Sequence, residues 1–142
     1  MKEFLIFLFV IVLMVACNKT AIPVELANAC VGDNDGKYLS TSGFLDDKGS
    51  IFCSNTGGRM DCSLDFLAAP GGQRILGAEI EQGSGSSEIE KFASGYKRED
   101  LKIHDASGAL IKLSDKVNIT GKLSVVPGST CFMEIDKIEK IQ

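Results

Sequence analysis

The sequence contains no tryptophan, a single histidine and only three prolines. Its 15 Lys and Arg residues are outnumbered by 19 Asp and Glu residues, which gives a formal net charge of −4 at pH 7. Proteins that bind phosphate backbones rely on clustered Lys and Arg. This balance therefore argues against nucleic acid as the partner. An ordinary charged fraction of 24% also excludes global disorder and predicts one folded domain.

No hydrophobic run reaches the roughly 20 residues that a membrane-spanning helix needs. The longest, residues 4–15, has Lys2 before it and Ala16 and Cys17 after it, as in a signal peptide. Residues 13–17, Leu-Met-Val-Ala-Cys, resemble the bacterial lipobox. The resemblance implies a signal peptide over residues 1–16, cleavage before Cys17 and a lipid on its sulfur. A plain signal peptide with an incidental cysteine is the alternative.

The lipid on Cys17 is the expected membrane contact, since each buried methylene contributes about 0.8 kcal/mol to anchoring. Asn18 follows the cysteine, and the lipobox resemblance implies that the absence of Asp there favours the outer membrane. We therefore expect a lipid-anchored envelope protein that faces the periplasm. Residues 17–29 are predicted to be the lipidated cysteine and a tether, and residues 30–142 the folded domain.

Four cysteines follow the lipobox, and an even number in an oxidising compartment predicts disulfides. Residues 57–58 are both glycine, which is a two-residue hairpin signal. A turn centred there places Cys53 opposite Cys62 at a non-hydrogen-bonded position, where a disulfide fits. Cys30 and Cys131 are then left to pair with each other. A zinc site is the alternative, but the sequence has no C-x-x-C pair to favour it.

The hydrophobic period of the domain is two, which predicts strands. Long strands are expected over residues 38–45, 60–66 and 116–126, with shorter ones over residues 51–53, 75–80, 101–104, 109–113 and from residue 131. Ile138 is out of phase with the last strand, which predicts a bulge near residues 136–137. Ser87 and Glu90 match a capping box. They predict a short helix to about Ser94, with Ile89 and Phe92 facing the core.

This order of strand, hairpin, short helix and paired strands resembles the OB-fold. Residues 38–45 (YLSTSGFL) and 115–123 (DKVNITGKL) carry the likeness, because in both a glycine interrupts a strand where a small barrel must bend. The resemblance covers residues 36–141. It implies an all-β fold with one short helix, built as a small closed or partly open β-barrel. A β-sandwich is the second possibility, since alternating strands also build sandwiches.

OB-folds bind on the face of their second and third strands and on the adjoining loops, here residues 51–66 and the Gly/Ser loop that begins at Gln82. Four residues are candidates for ligand binding: the aromatic residues Tyr38, Phe44 and Phe52, and Arg59 beside the hairpin turn. The aromatic side chains could equally cover the open edge of the barrel by packing.

Other motifs carry weaker signals. His104 beside Asp105 could do acid–base work, residues 33–36 could suggest calcium, and residues 83–87 could suggest a phosphate cradle. In each case a solvated turn or loop is the favoured interpretation. Tyr96, Lys97, Arg98 and Lys102 form a small basic cluster that Glu99 and Asp100 dilute. We expect no catalytic constellation, no metal site and no cofactor.

The sequence therefore predicts a non-enzymatic binding or interaction module of the envelope, with a partner protein, a peptide or a glycan as the ligand. One alternative is an inhibitor of a lysozyme-type enzyme, in which residues 54–59 enter the active site. Small lipoprotein inhibitors of that kind share the size and β-rich architecture, although their motif is absent here. The other alternative is an OB domain that binds an oligosaccharide or nucleic acid.

Overall fold

A computed structural model describes residues 19–46, 52–83, 85–93, 95–128 and 130–142. The predicted signal peptide and Cys17 lie outside these residues. Within them the chain forms ten strands: β1 Ile22–Pro23, β2 Tyr38–Asp46, β3 Phe52–Thr56, β4 Arg59–Leu67, β5 Arg74–Glu81, β6 Glu88–Ile89, β7 Ile103–His104, β8 Leu110–Ile111, β9 Lys116–Val125 and β10 Cys131–Lys140. The predicted strands are present, and the predicted all-β class is confirmed.

Five long strands close a ring in the order β2, β4, β5, β10, β9 and back to β2. Neighbours are antiparallel except β5 and β10, which are parallel. The chain thus forms a small OB-like barrel. The short strands β1 and β3 lie outside the ring, β1 beside β2 and β3 beside the first half of β4.

The alternating pattern sets which side chains fill the barrel. In β4, Met60, Cys62, Leu64 and Phe66 are all buried, as predicted, while the residues between them face outward. The same alternation holds in β2 and β9. In β10 the register with β9 shifts between Ile135 and Lys137, which confirms the predicted bulge and returns the side chain of Ile138 to the core.

Glycine permits the sharp bends that closure of a small barrel requires. A Cβ atom at Gly43 in β2 would lie 2.5 Å from the carbonyl oxygen of Leu67 in β4. At Gly121 in β9, a Cβ atom would overlap the carbonyl oxygen of Glu134 in β10. Both glycines were predicted to mark bends, and at both the neighbouring backbone occupies the space of a side chain.

The segment before β2 packs on the barrel. β1 pairs in parallel with β2, and the side chains of Leu26 and Ala29 are buried. The predicted disulfide between Cys30 and Cys131 is present, with Cα atoms 5.6 Å apart. Within the described residues, strand pairing therefore begins at Ile22, inside the segment predicted to be a tether.

The strands β6, β7 and β8 form a second, smaller sheet, in which β7 lies between β6 and β8. Ile89, Ile103 and Ile111 are buried and join the core of the barrel. The prediction of a helix over residues 87–94 is wrong, because Glu88 and Ile89 form β6. A segment of eight residues has little helical stability of its own. Pairing of Ile89 with Ile103 in β7 buries the apolar side chain that a helix was expected to bury.

The hydroxyl group of Ser87 does not cap a helix. Its Oγ accepts a hydrogen bond from the backbone N–H of Ile138 at 2.6 Å. The only helical structure in the described ranges is three 3₁₀ turns, Leu26–Asn28, Gly32–Asn34 and Arg98–Asp100. None of the helical structure in these ranges has the length and apolar character to cross a membrane.

Candidate functional site

Five carboxylates lie close together on the outer surface of β4, β5 and β10. Three strands supply them at alternating positions, so that all five point away from the core. We call this surface the acidic face, and its members are Asp61, Glu79, Glu81, Glu134 and Asp136. The sequence placed the second and third barrel strands within residues 51–66. In the structure β3 lies outside the ring, and the second and third strands of the ring are β4 and β5, so the surface where OB-folds bind their ligands includes the outer side of β5.

Within the acidic face, carboxylates lie directly opposite one another on neighbouring strands. Asp61 in β4 is paired with Glu81 in β5, and Glu79 in β5 is paired with Glu134 in β10. Like charges in directly opposite positions destabilise a sheet by roughly 0.2–1 kcal/mol for each pair. Two such pairs side by side therefore lower the stability of the sheet.

The carboxyl pKa values reflect this repulsion. The pKa of Asp61 is raised by desolvation and by the charge of Glu81. The pKa of Glu79 is raised by desolvation and by the charges of Asp61 and Glu134, although Arg74 partly opposes the shift. A positive charge bound at this face would relieve the repulsion and lower both pKa values.

Two arginines border the acidic face. The guanidinium of Arg59 contacts Glu81 at 2.9 Å, and Arg74 lies 3.5 Å from Asp65. The guanidinium of Arg74 also covers the ring of Phe132 at 5.1 Å. In the described part of the chain, no Lys or Arg nitrogen lies within 4.0 Å of a carboxylate of Asp61, Glu79 or Glu134. The centre of the face therefore keeps its charge.

The β3–β4 hairpin projects beside the acidic face. Gly57 and Gly58 form its turn with φ values of 63° and 86°, as a two-residue type I′ turn requires. Cys53 lies opposite Cys62, and the predicted disulfide joins them with Cα atoms 4.1 Å apart. Arg59, a predicted binding residue, follows the turn, and its guanidinium is engaged by Glu81.

A small pocket of about 250 Å³ opens beneath this hairpin at the outer edge of β3, and we call it the edge pocket. Met60 lines it from β4, and Phe92 and Tyr96 line it from the segment after β6. The two aromatic rings contact each other with centroids 4.5 Å apart. The backbone N–H of Cys53 donates a hydrogen bond to the Tyr96 hydroxyl at 3.2 Å.

The three predicted aromatic residues do not form one platform. Tyr38 and Phe44 lie six positions apart on the outer face of β2, roughly 20 Å at 3.3 Å per residue. Tyr38 lines a broad polar groove of about 660 Å³, where the ammonium of Lys19 lies 5.7 Å from its ring. Phe44 pairs with Lys116. Phe52 begins β3, and its side chain lies outside the described part of the structure.

His104 and Asp105 do not form an acid–base pair. The His104 Nε2 atom lies 2.6 Å from a carboxylate oxygen of Glu90, and its Nδ1 atom lies 3.1 Å from the carbonyl oxygen of Gly108. Both partners are acceptors, so the charged imidazolium suits this geometry, and the pKa of His104 is raised mainly by the hydrogen bond to Glu90.

The Asp105 carboxylate organises the turn that follows β7. It accepts hydrogen bonds from the backbone N–H groups of Ser107, Ala109 and Lys140 and from the Ser107 hydroxyl. These bonds, with the Ser107 hydroxyl foremost, lower the pKa of Asp105 to about 2. Asp105 therefore has a structural role.

The remaining motifs also make structural contacts. Asn34 donates hydrogen bonds to the carbonyl groups of Asn28 and Ala29, and the Asp35 carboxylate accepts one from the N–H of Val125. In the Gly/Ser loop, of which Ser84 lies outside the described residues, the N–H of Ser86 donates to the carbonyl of Asp136. The basic cluster is partly neutralised, since Lys102 lies 3.8 Å from Glu90. Among the described residues, no group of three or more His, Cys, Asp or Glu side chains is arranged to hold a metal ion.

The acidic face is the feature that the sequence did not reveal. Its signal was present in part, because the alternation predicted over residues 60–66 places Asp61 on the outer side of β4. The missing information was the register, since only the parallel pairing of β5 with β10 brings Glu79 opposite Glu134. Residues 79 and 134 are too far apart in the chain for any local pattern to connect them.

No known protein family matches the sequence, and no curated protein matches it either. Among solved structures, a chain assigned as an aspartyl-tRNA synthetase from Leishmania major Friedlin is similar, with a TM-score of 0.44 and 8% sequence identity. The similarity covers 92% of this chain and 22% of that one, so this chain spans less than a quarter of its neighbour's length. We draw no functional conclusion from this likeness.

Proposed function

We propose that this protein is a non-enzymatic binding module of the cell envelope that takes a positively charged partner protein on its acidic face. The lipid on Cys17 would anchor it, with the barrel facing the periplasm from the outer membrane. The observation that carries the proposal is the pair of like-charged contacts, Asp61 with Glu81 and Glu79 with Glu134, on the face where OB-folds bind.

The argument is one of electrostatic complementarity. Asp61, Glu79 and Glu134 have no cation of the described residues within 4.0 Å. Such carboxylates attract cationic surfaces and repel anionic ones, and they speed the encounter with a basic protein. Repulsion between these carboxylates destabilises the free protein, and a bound cation removes that repulsion. The same charge disfavours nucleic acid, whose phosphates would meet the carboxylates of Glu79 and Glu134.

The direct test places a photo-crosslinking amino acid at Ser63, which is paired with Glu79 in the middle of the acidic face. The full-length protein is expressed in its native cells and irradiated, and the adducts are identified. Ser42 in β2 provides the matched control, because it is also a serine on an outer strand face. We expect adducts with a basic protein at Ser63 but not at Ser42, and a strong decrease at high salt.

A double variant, Glu79→Gln with Glu134→Gln, removes one like-charged pair and leaves the shape of the face unchanged. We expect it to reduce the yield of the Ser63 adduct about 10-fold, in line with the loss of two interface charges. Equal adduct yields at Ser63 and Ser42, or an unchanged yield in the double variant, would refute the proposal.

A second candidate function is inhibition of a lysozyme-type enzyme. The observation in its favour is the exposed β3–β4 hairpin, which the Cys53–Cys62 disulfide holds in a fixed shape. A rigid hairpin loses little entropy when it enters an active site. The purified protein should then inhibit lysozyme, and Asn55→Ala at the tip should weaken inhibition. Absence of inhibition by the wild-type protein rules this function out.

A further inference from the structure

The outer edge of β3 can accept a further strand at Asn55, whereas at Cys53 the outward N–H already donates to the Tyr96 hydroxyl. Within the described ranges, β3 pairs with β4 only. The pairs alternate between hydrogen-bonded and non-hydrogen-bonded, and the short Cα distance of 4.1 Å assigns Cys53 and Cys62 to the second kind. Asn55 is two residues further along and is therefore of the same kind. Its backbone N–H and C=O groups point away from β4, toward the outer edge.

The edge pocket lies at this same position. Side chains that face each other across strands share one face of the sheet, and Asn55 is opposite Met60, which lines the edge pocket. Phe92 and Tyr96 form the other wall. With a volume of about 250 Å³, the pocket has room for one or two apolar side chains but not for a drug-sized ligand.

The neighbouring positions belong to the acidic face. Ser54 is opposite Asp61, which is opposite Glu81, so this row of residues points outward across three strands. A strand added beside β3 would continue both rows. Its residue opposite Asn55 would face the edge pocket. The residue opposite Ser54 would lie in the row of Asp61 and Glu81, whereas the residue opposite Thr56 would lie in the row of Arg59.

We propose that β3 binds an extended segment of the partner by strand addition, with an apolar side chain in the edge pocket and a lysine or arginine side chain at the neighbouring position, opposite Ser54 and in the row of Asp61. The inference rests on the proposed function, because it names the form in which the cationic partner binds. Main-chain hydrogen bonds at Asn55 hold the segment, and the alternation of apolar and basic residues gives specificity.

The test uses the full-length protein and two short peptides of identical composition. In the first, lysine and leucine alternate, and in the second the lysines precede the leucines as two blocks. We expect the alternating peptide to bind about 10-fold more tightly than the block peptide and to protect the amide of Asn55 from hydrogen exchange. A third peptide, in which serine replaces each lysine, measures the contribution of charge.

Two substitutions on the protein sharpen the test. Asn55→Pro removes only the outward N–H group, and a proline is tolerated at a sheet edge. It should lower the affinity for the alternating peptide about 10-fold, whereas Asn55→Ala should change that affinity less than about 2-fold. Ala93→Trp fills the edge pocket from an exposed position and should also prevent binding, whereas Ala93→Ser should not.

The outcomes separate the two proposals. Equal binding of the alternating and block peptides, or no effect of Asn55→Pro, overturns strand addition. If Glu79→Gln still weakens both peptides in that case, the acidic face stands as the binding surface. Equal binding of the serine peptide overturns the proposed cationic partner, and no binding of any peptide overturns both proposals.

Discussion

The inner and outer faces of β4, β5 and β10 belong to the same strands but differ in polarity and packing. The inner face is apolar and closely packed, with Leu64, Ala78 and Met133 completely or almost completely buried. The outer face keeps two pairs of facing carboxylates, and of these four only Glu81 is contacted by a cation of the described residues, Arg59. Selection for stability explains the first face and not the second. Such a difference is typical of binding sites, where stability is traded for function.

The largest expected effect lies on the inner face. Leu64→Ala should lower the free energy of unfolding by about 3 kcal/mol, because it removes a fully buried side chain and leaves a cavity. Ser63→Ala, one residue away on the outer face, should change it by less than about 0.5 kcal/mol. Urea unfolding of both variants measures the difference. Similar losses for the two would break the distinction between the faces.

The Asp105 carboxylate contrasts with that of Glu79, because hydrogen bonds stabilise its charge. Asp105→Ala should cost about 2 kcal/mol at neutral pH, through loss of the hydrogen bonds from Ser107, Ala109 and Lys140. Asp105→Asn, which keeps an oxygen acceptor, should cost less. Urea unfolding at neutral pH compares the three proteins, and equal losses in the two variants would show that charge alone matters.

The pH dependence of that effect has a definite sign. The pKa of Asp105 is about 2 in the folded protein, whereas an aspartate without these contacts has a pKa of 3.8. A lowered pKa contributes stability that is present above pH 3.8 and is lost as the pH falls toward 2. The difference in the free energy of unfolding between the wild-type protein and Asp105→Asn should therefore decrease as the pH falls from 3.8 toward 2. A difference that increases instead would contradict the assignment.

One polar group on the inner face breaks the pattern. Among the described residues, the buried hydroxyl of Thr41 has no hydrogen-bond partner. Thr41→Val replaces it with a methyl group of similar shape and should raise the free energy of unfolding by about 1 kcal/mol. Thr41→Ser keeps the hydroxyl and should give no gain. A loss of stability in Thr41→Val would show that the hydroxyl is satisfied in solution.

The smallest predicted effect on stability lies on the acidic face. Glu79→Gln should raise the free energy of unfolding by about 0.5 kcal/mol at neutral pH, because it removes repulsion from Asp61 and Glu134. The folded-state pKa of Glu79 is raised, so the penalty on the wild-type protein disappears as the pH falls through that pKa toward 4.5. Glu139→Gln, whose carboxylate contacts Lys137 at 3.1 Å, should give no gain.

The strands and the Cys53–Cys62 disulfide were predictable because their signals are local, and the pairing of Cys30 with Cys131 then followed by elimination. The alternation in residues 60–66 defines a buried face, and the two glycines at 57–58 fix the register of the hairpin and hence the pairing of Cys53 with Cys62. The bulge near residue 136 was also predictable, since Ile138 was out of phase. In each case the decisive information lies within about ten residues of the chain.

The remaining features depend on tertiary contacts. The capping box at Ser87 gave a local reason for a helix, but Ile89 is buried against Ile103 and the Ser87 hydroxyl bonds to the backbone of Ile138. The acidic face depends on the parallel register between β5 and β10, and the edge pocket on where Phe92 and Tyr96 fold back. No pattern within a single strand contains that information.

The central claim is that the acidic face binds a cation. The pKa of the Glu79 side chain tests this claim most directly. NMR titration of the full-length protein should give a pKa above the ordinary 4.5 when the protein is free, and a lower value when oligolysine is bound. A Glu79 pKa that is the same with and without oligolysine would contradict the account.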